Sequence, residues 1–338
     1  MTRLSPSAVL VAGAVGTLVA HAVVRRRSYD LRDRVVLVTG GSRGLRLALA
    51  REFGRRGARV AICARDVCTL ERARRDLVDR GVHVVSVAED LTDSARVRSA
   101  VDAVRDRLGR IDVLVNNAGV IQVGPMETMT LEDFEQAMRT NFWAAVYTVS
   151  AVLPEMRAAG GGRIVNISSI GGKVAMPHLL PYTASKFALA GFSEGLRAEA
   201  AKDGIAVTTV YPGLMRTGSP RHASFKGHHR AEYAWFNISD SLPGLAMSVE
   251  RAARRIVRAC VRGESHVVLS VPAKVAVTTH ALVPRLTGGV LALVNRLLPR
   301  PGGIGRTQAP GHASESALSP SWLTVLGERA ARKYNQTA

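Results

Sequence analysis

Short apolar runs rich in β-branched residues alternate with amphipathic segments between residues 34 and 269 of this 338-residue chain. Such runs are typical of buried parallel strands, which the pattern predicts at 34–38, 59–64, 82–87, 111–115, 162–167, 207–210 and 267–269. Helical spacing is clearest at 67–79, 95–108 and 249–262. The alternation predicts an α/β fold with a Rossmann-type, doubly wound parallel seven-stranded sheet in one domain, residues 29–271.

An apolar run, Ala8 to Val24, precedes this domain and is followed at once by Arg25-Arg26-Arg27. It falls short of the ~20 residues that span a bilayer comfortably, so three interpretations stay open. A cleaved signal peptide fits Ala20-His21-Ala22, and a buried helix fits the length. We favour a single-pass membrane anchor within residues 1–28, because the arginines would hold the domain at the cytoplasmic face of the membrane. A soluble cytoplasmic protein is the alternative.

The connection from Leu214 to Met247 is too long for a plain link between strands, which predicts a lid. Its aromatic residues favour a lipophilic substrate. Its histidines have no cysteine or carboxylate at ligand spacing, so no metal site is predicted. Residues 272–299 are predicted to form an apolar helical extension that would cover the cleft, mediate oligomerisation or lie on a membrane. Residues 300–338 are predicted to be mostly disordered, with a short helix after Ser319-Pro320.

Charge and cysteine content narrow the class of partner. The net charge is +19, but the arginines are spread through the helices rather than gathered among aromatic residues, so no nucleic-acid partner is predicted. Cys63, Cys68 and Cys260 lack metal-ligand spacing, and their odd number argues against a disulfide framework. A reducing compartment fits this cysteine content.

A glycine-rich turn, Thr39-Gly40-Gly41-Ser42-Arg43-Gly44, joins the first predicted strand to a helical pattern. In this setting the backbone N–H groups and the helix dipole face a pyrophosphate. NAD-preferring sites carry a carboxylate at the end of the second strand, whereas this chain has Ala64-Arg65 there and Arg43 in the turn. Two guanidinium groups suit a 2′-phosphate, so NADP(H) is predicted in preference to NAD(H), unless both arginines are ordinary solvated side chains.

The stretch Tyr182-Thr183-Ala184-Ser185-Lys186 places a phenol and an ammonium group four residues apart, on one face of a helix. A neighbouring cation lowers the pKa of a tyrosine, which would let Tyr182 exchange a proton with a substrate oxygen near neutral pH. Taken alone, a pair at this spacing is more often a solvated helix face. Ser168 and Ser169 end the fifth predicted strand, where sites form in open α/β sheets.

Asn116-Asn117-Ala118-Gly119 follows the fourth predicted strand, and with it the chain resembles the classical short-chain dehydrogenase/reductase family over residues 33–270. The family's motifs stand in order as Thr39-Gly40…Gly44, Asp90-Leu91, Asn116-Asn117-Ala118-Gly119, Asn141, Ser169, Tyr182…Lys186 and Pro212-Gly213…Thr217. The resemblance implies an oxidoreductase that interconverts a carbonyl and a secondary alcohol with a nicotinamide cofactor. It also implies a small-molecule substrate and a homo-oligomer, since family members are commonly dimers or tetramers.

The same resemblance implies roles position by position. Tyr182 would be the general acid/base, Lys186 would hold the nicotinamide ribose, and Ser169 would hydrogen-bond the substrate oxygen. Asn141 would anchor a water relay to Lys186, and Asn116 would line the cofactor cleft. With the glycine turn and Arg65, the expected cofactor-binding residues are Gly40, Ser42, Arg43, Gly44, Leu45, Arg65, Asp90, Leu91, Asn117, Ala118, Gly119, Tyr182, Lys186, Pro212, Gly213 and Thr217.

Arg46 departs from the family pattern, which usually has a third glycine at this place. That glycine allows close packing between helix and strand. If residue 46 keeps a helical conformation, the chain is expected to splay outward; otherwise cofactor affinity suffers. The departure leaves a second hypothesis open, a non-catalytic nucleotide-binding or scaffold protein with the same fold. The intact set of Asn141, Ser169, Tyr182 and Lys186 favours the enzyme.

Overall fold

The computed structural model describes residues 28–337 and contains a sheet of seven parallel strands. The strands are β1 (Val35–Thr39), β2 (Arg59–Ala64), β3 (Val84–Ala88), β4 (Val113–Asn116), β5 (Gly162–Ile167), β6 (Ile205–Tyr211) and β7 (His266–Val268). Their order across the sheet is β7-β6-β5-β4-β1-β2-β3. The chain order reverses between β1 and β4, and open α/β sheets bind their ligands outside the carboxyl ends of the strands at such a point.

Some helices of the described chain cover both faces of this sheet, and others form the lid and the C-terminal part of the fold. They are α1 (Gly44–Gly54), α2 (Val67–Asp79), α3 (Ser94–Leu108), α4 (Leu131–Met138), α5 (Ala144–Ala158), α6 (Leu180–Ala200), α7 (His229–Ser241), α8 (Val249–Arg262), α9 (Val271–Leu282), α10 (Pro284–Leu297) and α11 (Val325–Lys333). In β1, Val36 and Val38 pack against α1 and α8, while Val35 and Leu37 face the core formed with α3 and α5. Because both faces of the strands are buried, the strands lack the apolar–polar alternation of a half-exposed sheet.

Short elements complete the fold around the carboxyl ends of the strands. A π-helical turn, Arg139–Trp143, joins α4 to α5. Two-residue strands pair Met215–Arg216 with Met247–Ser248, and Ser224–Phe225 lies between Gln122–Val123 and Ala309–Pro310. Single 3-10 turns occur at Met126–Thr128, Ile170–Gly172, Ala201–Asp203, Ser219–His222, Gly311–Ala313 and Trp322–Thr324.

The predicted parallel seven-stranded sheet is confirmed, with every strand present and its bounds within two residues of the prediction. The helices predicted at 67–79 and 249–262 have those bounds. The apolar run from Ala8 to Val24 lies outside the described residues. Within residues 28–337, no helix is both long enough and apolar enough to cross a membrane.

After the sheet, the chain forms a helical hairpin and then a tail that returns to the sheet. Residues 300–319, where composition predicts disorder, lie along the lid: Gly227 N donates to Gly305 O, and Gly311 N donates to Ala223 O. These bonds supply backbone partners to a segment too rich in glycine and proline to form a long helix. Helix α11 then brings the end of the described chain back to the glycine-rich turn.

Candidate active site

Ser169, Tyr182 and Lys186 lie together at the carboxyl end of β5. Ser168 Oγ donates a hydrogen bond to the backbone oxygen of Lys186 at 2.8 Å, which holds α6 against the end of the strand. Gly172 makes this approach possible, because a Cβ at that position would lie 2.6 Å from the same oxygen. Ser168 is thereby engaged with the backbone of Lys186. Ser169 Oγ accepts a hydrogen bond from Gly171 N at 3.0 Å and also hydrogen-bonds the side chain of Tyr182.

Burial dominates the protonation of this cluster. Lys186 is 5% exposed, and its Nζ donates to Ile167 O at 3.0 Å and lies 5.7 Å from the centroid of the Tyr182 ring. Desolvation, helped by the charge of Arg46, lowers the pKa of Lys186 to about 7. Desolvation raises the pKa of Tyr182, and the opposing effects of Ser169 and Arg46 are smaller. The prediction of a lowered tyrosine pKa is therefore wrong for this structure, since burial outweighs the neighbouring cations.

Asn141 lies in the π-helical turn, a type of helix irregularity that is frequent at functional sites. Its Oδ1 accepts a hydrogen bond from Val120 N at 2.8 Å, and its Nδ2 donates to Ser185 Oγ at 2.8 Å. Ser185 in turn donates to the backbone oxygen of Tyr182 at 2.7 Å. Asn141 thus ties the loop after β4 to the helix that carries Tyr182.

Arg46 stays within helix α1, and the expected outward splay is absent. Its Nε donates to Asn117 O at 2.8 Å, and its Nη2 donates to Gly119 O at 2.9 Å. The side chain therefore spans the gap between the glycine-rich turn after β1 and the loop after β4. Burial lowers the pKa of Arg46 to about 10, which still leaves the guanidinium charged at neutral pH. A cation beside Tyr182 replaces the third glycine of the family pattern.

The tail of the chain lies on the glycine-rich turn. Gly44, with a φ of 60°, donates its N–H to Tyr334 O at 2.9 Å. Asn335 Nδ2 donates to the backbone oxygens of Ser42 and Thr69, each at 2.9 Å. An N–H group expected to face a pyrophosphate therefore has a carbonyl partner from the same chain.

The two arginines expected to face a 2′-phosphate have different surroundings. Arg43 Nη1 lies 2.9 Å from His222 Nδ1, and burial lowers the pKa of both groups, that of His222 to about 4. Arg65 has a side chain that is 65% exposed, with its Nη1 3.8 Å from Asp90 Oδ2. Arg65 and Asp90 thus stand together beyond the ends of β2 and β3, while Arg43 is engaged with the lid.

The loop after β4 carries a buried donor without a partner. Thr39 Oγ1 accepts hydrogen bonds from the backbone N–H groups of Asn117 and Ala118, at 2.9 and 3.1 Å. These bonds hold the loop after β4 against the end of β1. The Nδ2 of Asn117 is buried and has no hydrogen-bond partner within residues 28–337. Buried donors are normally satisfied, so this one is a candidate contact for a bound ligand.

Three residues named from the motifs point into the protein rather than the cleft. Leu45 and Leu91 have side chains buried in the two hydrophobic cores. Asn116, which was expected to line the cofactor cleft, is 3% exposed and donates to Asn166 Oδ1 at 2.9 Å. It also accepts from Thr148 Oγ1 at 2.7 Å, so it cross-links the sheet to α5.

The loop after β6 closes the other side of the site. Ile170 N, next to Ser169, donates to Pro212 O at 2.7 Å. Gly213 packs closely on Ser270, since a Cβ at 213 would lie 2.7 Å from the Ser270 hydroxyl. Thr217 is buried, and its Oγ1 accepts from Ser219 N at 3.0 Å. The structure thus places Pro212 beside the catalytic loop and Thr217 at the start of the lid.

Asp240, on lid helix α7, is a site residue that the motifs do not indicate. It is 8% exposed, and burial raises the pKa of its carboxyl group to about 7. Its charge acts on Tyr182 and raises the pKa of the phenol further. A lone aspartate in a helix carries no sequence signal for this role, because its position depends on how the lid folds over the site.

The lid packs its aromatic residues against one another. Phe225 and Tyr233 are fully buried in a cluster with Phe236, and Trp235 Nε1 donates to Glu232 Oε2 at 2.7 Å. These rings form a small core of the lid, so their presence is not by itself a sign of a lipophilic substrate. Within residues 28–337, no three histidine, cysteine or acidic side chains are grouped as metal ligands.

Comparison with known proteins shows the family of the chain. The family model for short chain dehydrogenase matches residues 34–224. Dehydrogenase/reductase SDR family protein 7-like from Anopheles gambiae is 34% identical over 78% of this chain and 83% of the relative. 11-beta-hydroxysteroid dehydrogenase A from Sesamum indicum is 34% identical over 71% of this chain and 69% of the relative. The crystal structure of L-sorbose reductase from Gluconobacter frateurii with NADPH and L-sorbose has a TM-score of 0.65 and 29% identity, covering 72% of this chain and 97% of that one.

The chain belongs to the short-chain dehydrogenase/reductase family. Strands β1 to β6 of its parallel sheet lie within the residues that the family model matches. It is an enzyme of this family, an oxidoreductase acting between carbonyl and alcohol.

Proposed function

We propose that this enzyme uses NADP(H) to interconvert a carbonyl and a secondary alcohol, with Tyr182 as the general acid/base. The observation that carries the proposal is the cluster of Ser169, Tyr182 and Lys186 at the carboxyl end of β5, in which Ser169 and Lys186 are buried and Tyr182 is partly exposed. Ser169 hydrogen-bonds the tyrosine side chain, which positions both hydroxyl groups for one substrate oxygen.

The residues around the cleft fit NADP(H). The buried Asn117 Nδ2 lacks a partner, and the N–H of Gly44 stands at the start of α1 with an exchangeable carbonyl acceptor. Arg65 is an exposed cation at the end of β2, where a 2′-phosphate would be held. Lys186 would hold the nicotinamide ribose, and the bound nicotinamide would supply or accept the hydride.

Tyr182 is protonated at neutral pH, which is the form that carbonyl reduction requires. A buried phenol with a raised pKa is protonated, and a protonated phenol is the proton donor that a carbonyl oxygen needs. After the transfer, Lys186 in its protonated form would stabilise the phenolate that remains. Asp240 opposes this stabilisation when it is ionised, since a negative charge nearby disfavours a second one.

A lipophilic carbonyl compound is the proposed substrate class. Support comes from the relative named 11-beta-hydroxysteroid dehydrogenase A, since a steroid is apolar apart from its oxygens. The test is a panel of steroid ketones, aliphatic ketones and keto-sugars, assayed by the loss of NADPH absorbance. Reduction of an apolar ketone that Tyr182→Phe does not perform supports the proposal. If only sugars are reduced, the substrate class is wrong; if no carbonyl consumes NADPH, the function itself is wrong.

The alternative of a non-catalytic scaffold depended on Arg46. In the structure Arg46 bonds two backbone oxygens and leaves Ser169, Tyr182 and Lys186 together. We therefore retain catalysis. Isothermal titration with NADPH and NADH separates cofactor binding from turnover, and an absence of NADPH binding would reject the enzymatic role.

We also propose that the run from Ala8 to Val24 anchors the enzyme at the cytoplasmic face of a membrane. The support is its apolar composition and the Arg25-Arg26-Arg27 triplet that follows. The full-length chain should then stay with membranes after carbonate extraction, because salt screens lipid attraction but does not reverse the burial of an apolar span. Release by carbonate, or a mature chain that begins at Val23, would reject the anchor.

A further inference from the structure

The hairpin formed by α9 and α10 presents an apolar face to solvent. Eight of the twenty exposed large apolar side chains in the described chain lie in it, a high density for 27 residues. On α10 the exposed set recurs at helical spacing, which makes one continuous stripe along the helix: Leu286, Val290, Leu293 and Leu297. The two helices pack on each other, and Ala273 is the only fully buried residue in the pair. Soluble surfaces rarely expose apolar side chains at this density without a partner.

The hairpin and the sequence on either side of it contain basic residues but no acidic ones. No aspartate or glutamate occurs from Ser265 to Ser314, although 27 in 338 residues would place about four in such a stretch. The same stretch contains five basic residues, namely Lys274, Arg285, Arg296, Arg300 and Arg306. Lys274, Arg285 and Arg296 lie within the hairpin itself and are exposed. An apolar stripe flanked by cations fits a partner surface in which an outer layer of negative charge covers an apolar layer.

The hairpin follows β7, the strand that the first described residue also adjoins. It begins three residues after the last residue of β7, which is an edge strand of the sheet. Ser28, the first described residue, lines a cleft with Ser265 and His266 at the start of β7, together with Arg258 and Arg262. Ser28 and the hairpin therefore adjoin the two ends of the same edge strand.

We propose that the α9–α10 hairpin docks on the surface of an anionic lipid bilayer, with its apolar stripe in the acyl boundary and its cations at the phosphate level. A second copy of the chain fits this face less well. In a two-fold symmetric contact, each patch meets itself, so the hairpin cations would face like charges with no acid between Ser265 and Ser314 to pair with them. Lipid phosphates supply the missing negative charge.

The test places a reporter on the hairpin of the full-length chain. In a Cys68→Ser background, in which Cys63 and Cys260 remain buried, Leu293→Cys is labelled with an environment-sensitive nitrobenzoxadiazole dye. The control is Leu131→Cys, which replaces another exposed leucine, at the start of α4. Vesicles of phosphatidylcholine with phosphatidylglycerol should shift the emission of the label at 293 to the blue, and nitroxide-labelled lipids should quench it about twofold or more. The label at 131 should change little. Because the readout is local to the hairpin, it does not depend on the N-terminal anchor.

Charge reversal tests whether the hairpin requires anionic lipids. Lys274→Glu, Arg285→Glu and Arg296→Glu combined should weaken vesicle binding about 100-fold or more, measured by titrating vesicles against the emission of the label, since each cation near an anionic surface contributes about 1 kcal/mol. An equal response to vesicles of phosphatidylcholine alone would overturn the anionic requirement. A shift without vesicles that grows with protein concentration would identify a second copy as the occupant. A vesicle-independent shift that disappears on removal of residues 1–27 would identify the N-terminal run as the occupant instead. No shift at all would mean that the face has no lipid partner. Each of these results rejects the proposal.

Discussion

The N–H group of Gly44 donates a hydrogen bond of 2.9 Å to the backbone oxygen of Tyr334, although the two residues lie 290 positions apart. Gly44 begins α1 at the glycine-rich turn, where a helix N-terminus presents N–H groups to phosphate oxygens. Tyr334 follows α11, and its ring is buried under the guanidinium of Arg51. The tail therefore occupies the Gly44 N–H group, which a dinucleotide phosphate would need. Binding of NADP(H) has to displace the Tyr334 oxygen from this N–H group.

Loosening the tail should tighten NADPH binding. Asn335→Gly removes the hydrogen bonds to Ser42 and Thr69 while keeping a residue that tolerates the φ of 56° at this position. Two bonds of roughly 1 kcal/mol each correspond to an affinity gain of about fivefold or more, measured by isothermal titration. Trp322→Ala, a change at an exposed tail residue, is the control and should leave the affinity unchanged. An unchanged dissociation constant for Asn335→Gly would show that the tail does not compete with the cofactor.

Tyr182→Phe should abolish turnover and leave NADPH affinity nearly intact. Phenylalanine keeps the packing of the ring and removes the hydroxyl that moves the proton, a loss of about 100- to 10,000-fold in rate. Steady-state rates and titration with NADPH measure the two effects separately. Tyr147→Phe on α5 is the matched control, and its rate should be that of the unmodified enzyme. A rate above about a tenth of the original for Tyr182→Phe would assign the proton transfer to another group.

Arg65→Ala should weaken the binding of NADPH more than that of NADH. Loss of a charge-assisted contact with a 2′-phosphate costs about 1.5–3 kcal/mol, or about 10- to 150-fold in affinity, with the lower value expected for so exposed a side chain. Arg75→Ala on α2 removes a similarly exposed cation and should affect neither nucleotide. Equal losses for both nucleotides in Arg65→Ala would show that this arginine does not recognise the phosphate.

The strands and the catalytic cluster follow from local sequence, whereas the contacts of the tail do not. A run such as Val35 to Thr39 specifies a buried strand by its own composition, and Tyr182 and Lys186 share a helix face by spacing alone. The bond between Gly44 and Tyr334 has no local signal in the sequence. The glycine- and proline-rich composition of residues 300–319, which precede Tyr334, predicts disorder instead.

The pKa shifts of the site residues could not be predicted from the sequence either. Proximity of Lys186 predicts a lowered pKa for Tyr182, but the result depends on burial, which only the assembled lid and sheet determine. The same is true of Asn116, whose motif position predicts a cleft residue while its hydrogen bonds place it inside the protein.

Asp240→Asn should change how stability depends on pH. Burial raises the folded-state pKa of Asp240 from 3.8 to about 7, so the folded state binds its proton more tightly than the unfolded state does. The contribution of this group to stability is therefore present at low pH and falls as the pH rises from about 4 to about 7. Urea unfolding at the two ends of that window should show a decline in the unmodified chain that exceeds the decline in Asp240→Asn by about 1 kcal/mol or more. Parallel declines in the two chains would mean that the buried carboxyl does not titrate in this window.

Arg46→Gly should make the enzyme less stable and yet bind NADPH more tightly. The substitution removes two charge-assisted hydrogen bonds, to Asn117 O and Gly119 O, and places a glycine in a helix, for a combined loss of about 2–4 kcal/mol in the free energy of unfolding. The same bonds hold the side chain across the gap between the turn after β1 and the loop after β4, where open α/β sheets bind their ligand. A bound cofactor would have to move this side chain, so its removal should improve NADPH affinity by about fivefold or more. Ala50→Gly, also within α1 and without a contact to the tail through a charged side chain, is the control for the helix effect and should lower stability without tightening NADPH binding. Weaker NADPH binding in Arg46→Gly would instead show that Arg46 turns toward the cofactor and holds its phosphates.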